Sequence, residues 1–378
     1  MIGTAALTLP LVAALVVQDQ DEPLAQILAA ESSFWDRFKD PTDGRFDVTS
    51  FLSSGGFIPV PFIITEPAIG FGGGAALLFI HDRNPDDPWY ENEESAREAP
   101  PTGSAVFGAG TENGTWLAGG AHQGIWRGDT IRYVGALATG RINLDLFVDN
   151  TPFAYGLETV FLYQDIRFRL GNSDAFLGLT YRFSDSEASF RDLPPELFPA
   201  LQQNDAGAGV VAQWDTRDNV FTPRSGQDAE LEAVFWNEAV GGDSNFASVE
   251  GKVRHYMPVS MDHTLGVRVT AAAAEDDAPF YLLPSVSLRG VPFARYQGTS
   301  VLSSEAEFRY AFDPRWEGLL FGGVGASWDD VLADSGAVFA GGLGFRYLLS
   351  RPFGISGGLD FAVGPEQGVV YVAVGSGL

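Results

Sequence analysis

From about residue 56 to the end of the chain, side-chain character alternates with a two-residue period in long segments, and no helical period interrupts them. In Ala229–Phe235 the residues Ala229, Leu231, Ala233 and Phe235 share one face, and Asp228, Glu230 and Glu232 the other. In Ser303–Arg309 the face of Ser303, Glu305, Glu307 and Arg309 opposes that of Ala306, Phe308 and Tyr310. Arg346 lies opposite Leu343, Phe345 and Tyr347, and Asp360 opposite Leu359, Phe361 and Val363. Consecutive side chains of a strand point to opposite sides, so each segment is a strand with one apolar and one ionic face. Strands this long, charged in mid-strand and without helices to cover a face, suit a closed barrel. Its greasy side meets lipid and its ionic side an enclosed lumen.

Closure is also what a membrane demands. No apolar run is long enough for a spanning helix, so a spanning chain must satisfy its backbone between strands and leave no edge in lipid. Segment starts fall near residues 56, 67, 102, 115, 130, 153, 174, 205, 226, 245, 262, 300, 317, 336, 352 and 368. The expectation is an all-β transmembrane antiparallel barrel of about sixteen strands over residues 56–378, with a short helix over Glu22–Phe38 before it. Residues 1–20 read as a signal peptide, with an apolar core but no preceding Lys or Arg, and residues 21–55 as a short periplasmic linker. With the N-terminal side in the periplasm, the long segments 189–204 and 278–299 fall outside and short turns fall inside. The acidic stretch 82–101 breaks that asymmetry.

Composition removes some functions. A formal charge of −26 excludes a nucleic-acid surface, and the absence of cysteine excludes disulfide and thiolate chemistry. The four histidines show no ligand spacing, so no metal or cofactor is expected. Gly354-Ile-Ser356-Gly-Gly358 matches a nucleophile-elbow pattern but lacks the helix that pattern needs. An outer-membrane phospholipase would need a serine beside an outward histidine, and spacing pairs none with His122 or His255. No catalytic residue is assigned.

Three segments are more specific: Gln213-Trp-Asp-Thr-Arg-Asp-Asn-Val-Phe-Thr-Pro-Arg-Ser-Gly226, Ser287-Leu-Arg-Gly-Val-Pro-Phe-Ala-Arg-Tyr-Gln-Gly298, and the run from Gly342 to Ala362. They resemble the BamA/TamA family of outer-membrane proteins, the bacterial surface antigen family, in motif and order over residues 50–378. Pro61–Gly74 resembles that family's first hairpin. The resemblance implies sixteen strands and a loop, 278–299, folded back into the lumen and anchored by Arg289 and Gly290, with Arg295 and Tyr296 following. A lumenal arginine needs carboxylate partners. Asp360, Glu305 and Glu307 face inward and could supply them, with Arg309, Arg346, Asp215 and Arg217 joining the network. The family's assembly members carry POTRA modules ahead of the barrel. About fifty residues precede it here, too few for one, and the chain ends at Leu378 without the usual terminal aromatic residue.

The resemblance implies a role in envelope biogenesis, inserting or exporting protein or lipid through a weak seam between first and last strands. Phe57, Pro59 and Pro61 on one side and Val370 and Val372 on the other would form that seam. Proline has no N–H to donate, so the seam should pair poorly. Alternatives are a passive pore, or a structural barrel or receptor whose partner docks on residues 22–50. Outer-membrane lipid or lipopolysaccharide and a periplasmic protein are the expected partners.

Overall fold

The computed structural model describes residues 38–52, 57–81, 102–148, 151–328, 336–351 and 354–378. The expected signal peptide and the helix over Glu22–Phe38 lie outside the described residues, apart from Phe38 itself. The described helix α1 is the four-residue Thr49–Leu52. Sixteen antiparallel strands follow: β1 (Phe57–Ile64), β2 (Gly72–Ile80), β3 (Gly103–Thr111), β4 (Trp116–Trp126), β5 (Ile131–Val148), β6 (Thr151–Arg169), β7 (Ala175–Phe190) and β8 (Leu201–Asp215). The second half contains β9 (Gly226–Trp236), β10 (Phe246–Pro258), β11 (His263–Ala274), β12 (Ser300–Asp313), β13 (Trp316–Trp328), β14 (Gly336–Ser350), β15 (Ile355–Val363) and β16 (Gly368–Val374).

Each strand pairs with its sequence neighbour, in the order β1 through β16. Sixteen strands are thus observed, and the connection between β2 and β3 does run at the end of the short turns. The segment 82–101 that joins β2 to β3 lies outside the described residues. Strand lengths are uneven. β1 to β4 have 8, 9, 9 and 11 residues, whereas β5 and β6 have 18 and 19 and rise above their neighbours.

The alternation separates two environments. Leu179, Leu231, Phe235, Leu320 and Leu343 are exposed on the outer wall, while Asp228, Glu232, Glu305, Glu307 and Asp360 are buried. Packing inside is supplied by the connection between β11 and β12, loop 6 below. Its first half places Phe280, Tyr281 and Leu283 against Leu144, Leu146 and Tyr155 of β5 and β6. Its second half buries Val286, Leu288 and Val291 against Val338 of β14. Gly323 and Gly325 of β13 make room, since a Cβ there would stand 2.7 Å from Leu288 and 2.3 Å from Val286.

Candidate functional site in the barrel lumen

Loop 6 doubles back on itself through a bridge between Ser285 and Gln297, and Val286 N donates to the Tyr296 carbonyl over 2.9 Å. At its tip Gly290 takes φ +93°, where an L side chain is strained, and a Cβ there would lie 3.2 Å from the Gly364 nitrogen. Gly290 N donates to the Tyr371 hydroxyl at 3.1 Å. This turn projects Arg289 onto the inner wall.

The Arg289 guanidinium lies 3.6 Å from the Phe321 ring centroid. Its Nε donates to Glu305 Oε1 at 2.8 Å and its Nη1 to Asp360 Oδ2 at 2.8 Å. Nη1 also stands 2.7 Å from Glu307 Oε2, and the Arg289 amide donates to Glu305 Oε2 at 3.1 Å. The Glu307 contact is close but poorly aligned, so its attraction is coulombic rather than a formed hydrogen bond. All three carboxylates are 1% exposed. Arg346 grips Asp360 through Nη1 at 2.5 Å and Nη2 at 2.8 Å, and its Nε donates to the Gly375 carbonyl. Gly344 opposite leaves space for this pair, because a Cβ would fall 2.3 Å from Asp360 Oδ1. Arg309 flanks Glu307 at 3.6 Å and Arg268 flanks Glu305 at 3.7 Å.

Asp215 and Arg217 are placed elsewhere. They pair with each other at 2.8 Å and with Arg132 and Asp228, in a separate network that includes Gln213 and Arg254. The connection from their motif to the Arg289 cluster is Pro223, whose carbonyl accepts from the buried Arg309. Arg295 and Tyr296 lie higher in the loop. Arg295 stacks 4.0 Å from the Phe147 ring centroid, and both meet Glu366, at 3.3 Å and 2.7 Å. In the seam strands, Pro59 and Pro61 pair with Leu77 and Ala75, while Val370 and Val372 pair with Phe361 and Leu359.

Sequence reasoning missed two clusters. Arg315, in the turn between β12 and β13, is buried against the segment 38–48. Its Nε donates to Asp43 at 2.8 Å and its Nη1 to Asp47 at 2.9 Å, and Nη2 reaches Asp40. Three acids at intervals of three and four in the turn-rich KDPTDGRFD were the available signal. The second cluster is Ser104 with His122: the register pairs them across β3 and β4, a relation that chain spacing could not show.

Residues 141–341 match the Omp85 superfamily domain. The chain belongs to the Omp85 superfamily. Its match spans strands β5 to β14 and includes loop 6. No curated protein matches the chain. The fold is similar to BamA from Haemophilus ducreyi lacking POTRA domains 1–3, at 11% identity and TM-score 0.58, over 85% of this chain and 70% of that one. It is similar to CdiB from Escherichia coli, at 12% identity and TM-score 0.58, over 84% of this chain and 61% of that one. This Omp85 barrel is a protein of the bacterial outer membrane, in a superfamily of assembly and translocation barrels.

Proposed function

We propose that this Omp85 barrel acts in outer-membrane biogenesis, admitting a strand or lipid-linked cargo at the junction of β1 and β16 while loop 6 keeps the lumen shut. One observation carries the reading. The Phe62 carbonyl lies over Gly73 of β2, so even-numbered residues of β1 turn their backbone groups toward β2. The odd-numbered Pro59 and Pro61 therefore turn theirs to the opposite edge, where β16 would pair, and neither has an N–H to offer. Among the described residues no ladder joins β16 to β1.

A plugged lumen favours this reading over a passive pore. The reading gives the chain no catalytic step and no cofactor. It includes a periplasmic protein partner at the mouth, where residues 38–48 pack on the strand turns. Because the native chain has no cysteine, introduced pairs report cleanly. Cysteine pairs scanned across residues 59–64 and 369–374 should include some that crosslink on oxidation. Those locked barrels should fail to complement a deletion strain's envelope permeability, and reductant should restore them. Full complementation by a quantitatively crosslinked barrel would refute the seam.

A further inference from the structure

The outer wall carries a row of polar side chains where lipid should meet only apolar ones. Register and exposure fix the direction: Ser104, His122, Tyr133 and Gln164 share the face of the exposed Val106, Leu137 and Val160. His81 Nε2 lies 2.9 Å from Ser104 Oγ, and the same Oγ lies 2.8 Å from His122 Nδ1. The Tyr133 hydroxyl donates to Gln164. A serine hydroxyl has one proton, so at least one imidazole must donate to it. Among the described residues, His81 Nδ1 and His122 Nε2 have no protein partner. Uncompensated polar nitrogens in hydrocarbon are costly.

The row opens at the lower edge of the wall. His81 directly follows β2 and Ser104 is the second residue of β3, so both lie where β2 ends and β3 begins, at the periplasmic side. Trp116 and Trp126, exposed at the two ends of β4, mark the upper and lower membrane boundaries there. Above the row, small residues replace bulky ones. Ala118 and Gly120 floor a groove of about 760 Å³ walled by Leu137 and Val160, with His122 at its lower end beside Gly135, over which the Tyr133 side chain lies. The wall at β9 and β10 instead carries Leu231, Phe235, Val249 and Val253.

We propose that this groove is a binding site for a glycerophospholipid of the periplasmic leaflet. One acyl chain lies along Ala118 and Gly120, and a phosphate or ester oxygen accepts from the imidazole that takes the Ser104 proton. Two features favour a lipid occupant: the groove lies within a wall immersed in hydrocarbon, and its donors sit only at the edge nearest the headgroups. Hydrolysis is not part of the proposal. The nearby backbone N–H groups are committed to the strand ladders, which leaves no oxyanion site beside Ser104.

The test uses the full chain in nanodiscs of phosphatidylethanolamine and phosphatidylglycerol with a trace of phospholipid carrying an acyl-chain diazirine. After irradiation, labelled peptides should concentrate on 118–137 relative to 231–253. Gly120→Leu, which fills the groove, and the pair His81→Phe with His122→Phe, which removes the donors, should each cut groove labelling roughly fivefold, the share of one lost hydrogen bond or contact. Both change only lipid-facing side chains, and the heat-dependent mobility shift of a folded barrel verifies each. Equal labelling of the two walls, or groove labelling unchanged in both variants, would overturn the proposal. So would release of free fatty acid. A crosslinked seam should leave the labelling intact, so this site stands or falls apart from the seam.

Discussion

Replacing Arg289 by methionine removes the central cation of the lumen cluster while keeping most of its bulk. Asp360 retains both bonds from Arg346, at 2.5 and 2.8 Å. Of their cations, Glu305 and Glu307 retain only Arg268 at 3.7 Å and Arg309 at 3.6 Å, beyond hydrogen-bond reach, while Glu305 keeps the bond from the residue 289 amide. Removing one partner of a buried ion pair costs about 3–5 kcal/mol, most of it the penalty of the stranded charge. With three cations left for three carboxylates, the lower end applies, about 3 kcal/mol. The tip of the loop is then held by the packing of Val286, Leu288 and Val291 and the Gly290 bond to Tyr371, with Arg295 and Tyr296 on Glu366 higher up. A loss of about 3 kcal/mol raises the population of the displaced loop roughly a hundredfold. Planar-bilayer recording should therefore show frequent openings in place of a quiet barrel, and protease added outside should cut within 278–299. Adding Glu305→Gln to Arg289→Met should restore part of the closure, because it removes one stranded charge. An Arg289→Met barrel with native conductance and native protease resistance would refute the reasoning.

Gly290→Ala should cost about 1–3 kcal/mol, through its positive φ and the nearby Gly364 backbone, and a lowered midpoint of heat-dependent mobility would register it. Gly325→Leu should displace loop 6 by occupying the space of Val286, so its conductance should resemble that of Arg289→Met while the strands stay paired by circular dichroism. The segment 38–48 should detach in acid. Thr42 holds the Asp40 carboxyl below its ordinary range, and Arg315 does the same for Asp43. Carboxylates lowered in the folded state contribute fully above their unfolded value and lose that contribution as pH falls below about 4. The protection of residues 38–48 against hydrogen exchange, taken relative to the intrinsic rate at each pH, should fall there and not between pH 6 and 8; unchanged protection at pH 3 would count against the clamp. Arg315→Ala should free the same segment at neutral pH, seen as new protease sensitivity at Lys39 and Arg45.

The strand number, the faces of the strands and most strand starts were legible in the chain itself. A barrel wall imposes one rule at every rung: alternate residues meet lipid or lumen, and a one-residue slip would place Asp360 or Glu305 in hydrocarbon. That rule is local, so Glu305, Glu307, Asp360 and Arg346 could be read as inward without knowing their neighbours. Their convergence on Arg289 was not local. It depends on loop 6 folding inward, on room left by Gly323, Gly325 and Gly344, and on shear that brings β12, β14 and β15 to one height. Asp215 and Arg217 illustrate the limit. Their face was legible, yet the curvature of the wall gives them Arg132 and Asp228 as partners, and Pro223 meets Arg309 instead. Ser104 and His122 are eighteen positions apart, and only the register of β3 on β4 makes them neighbours. Sequence by itself determined which side of the sheet each residue occupies, because side-chain direction follows from backbone geometry. Tertiary structure decided which residues meet, because contact across a closed barrel depends on register, shear and an inserted loop that no single strand encodes.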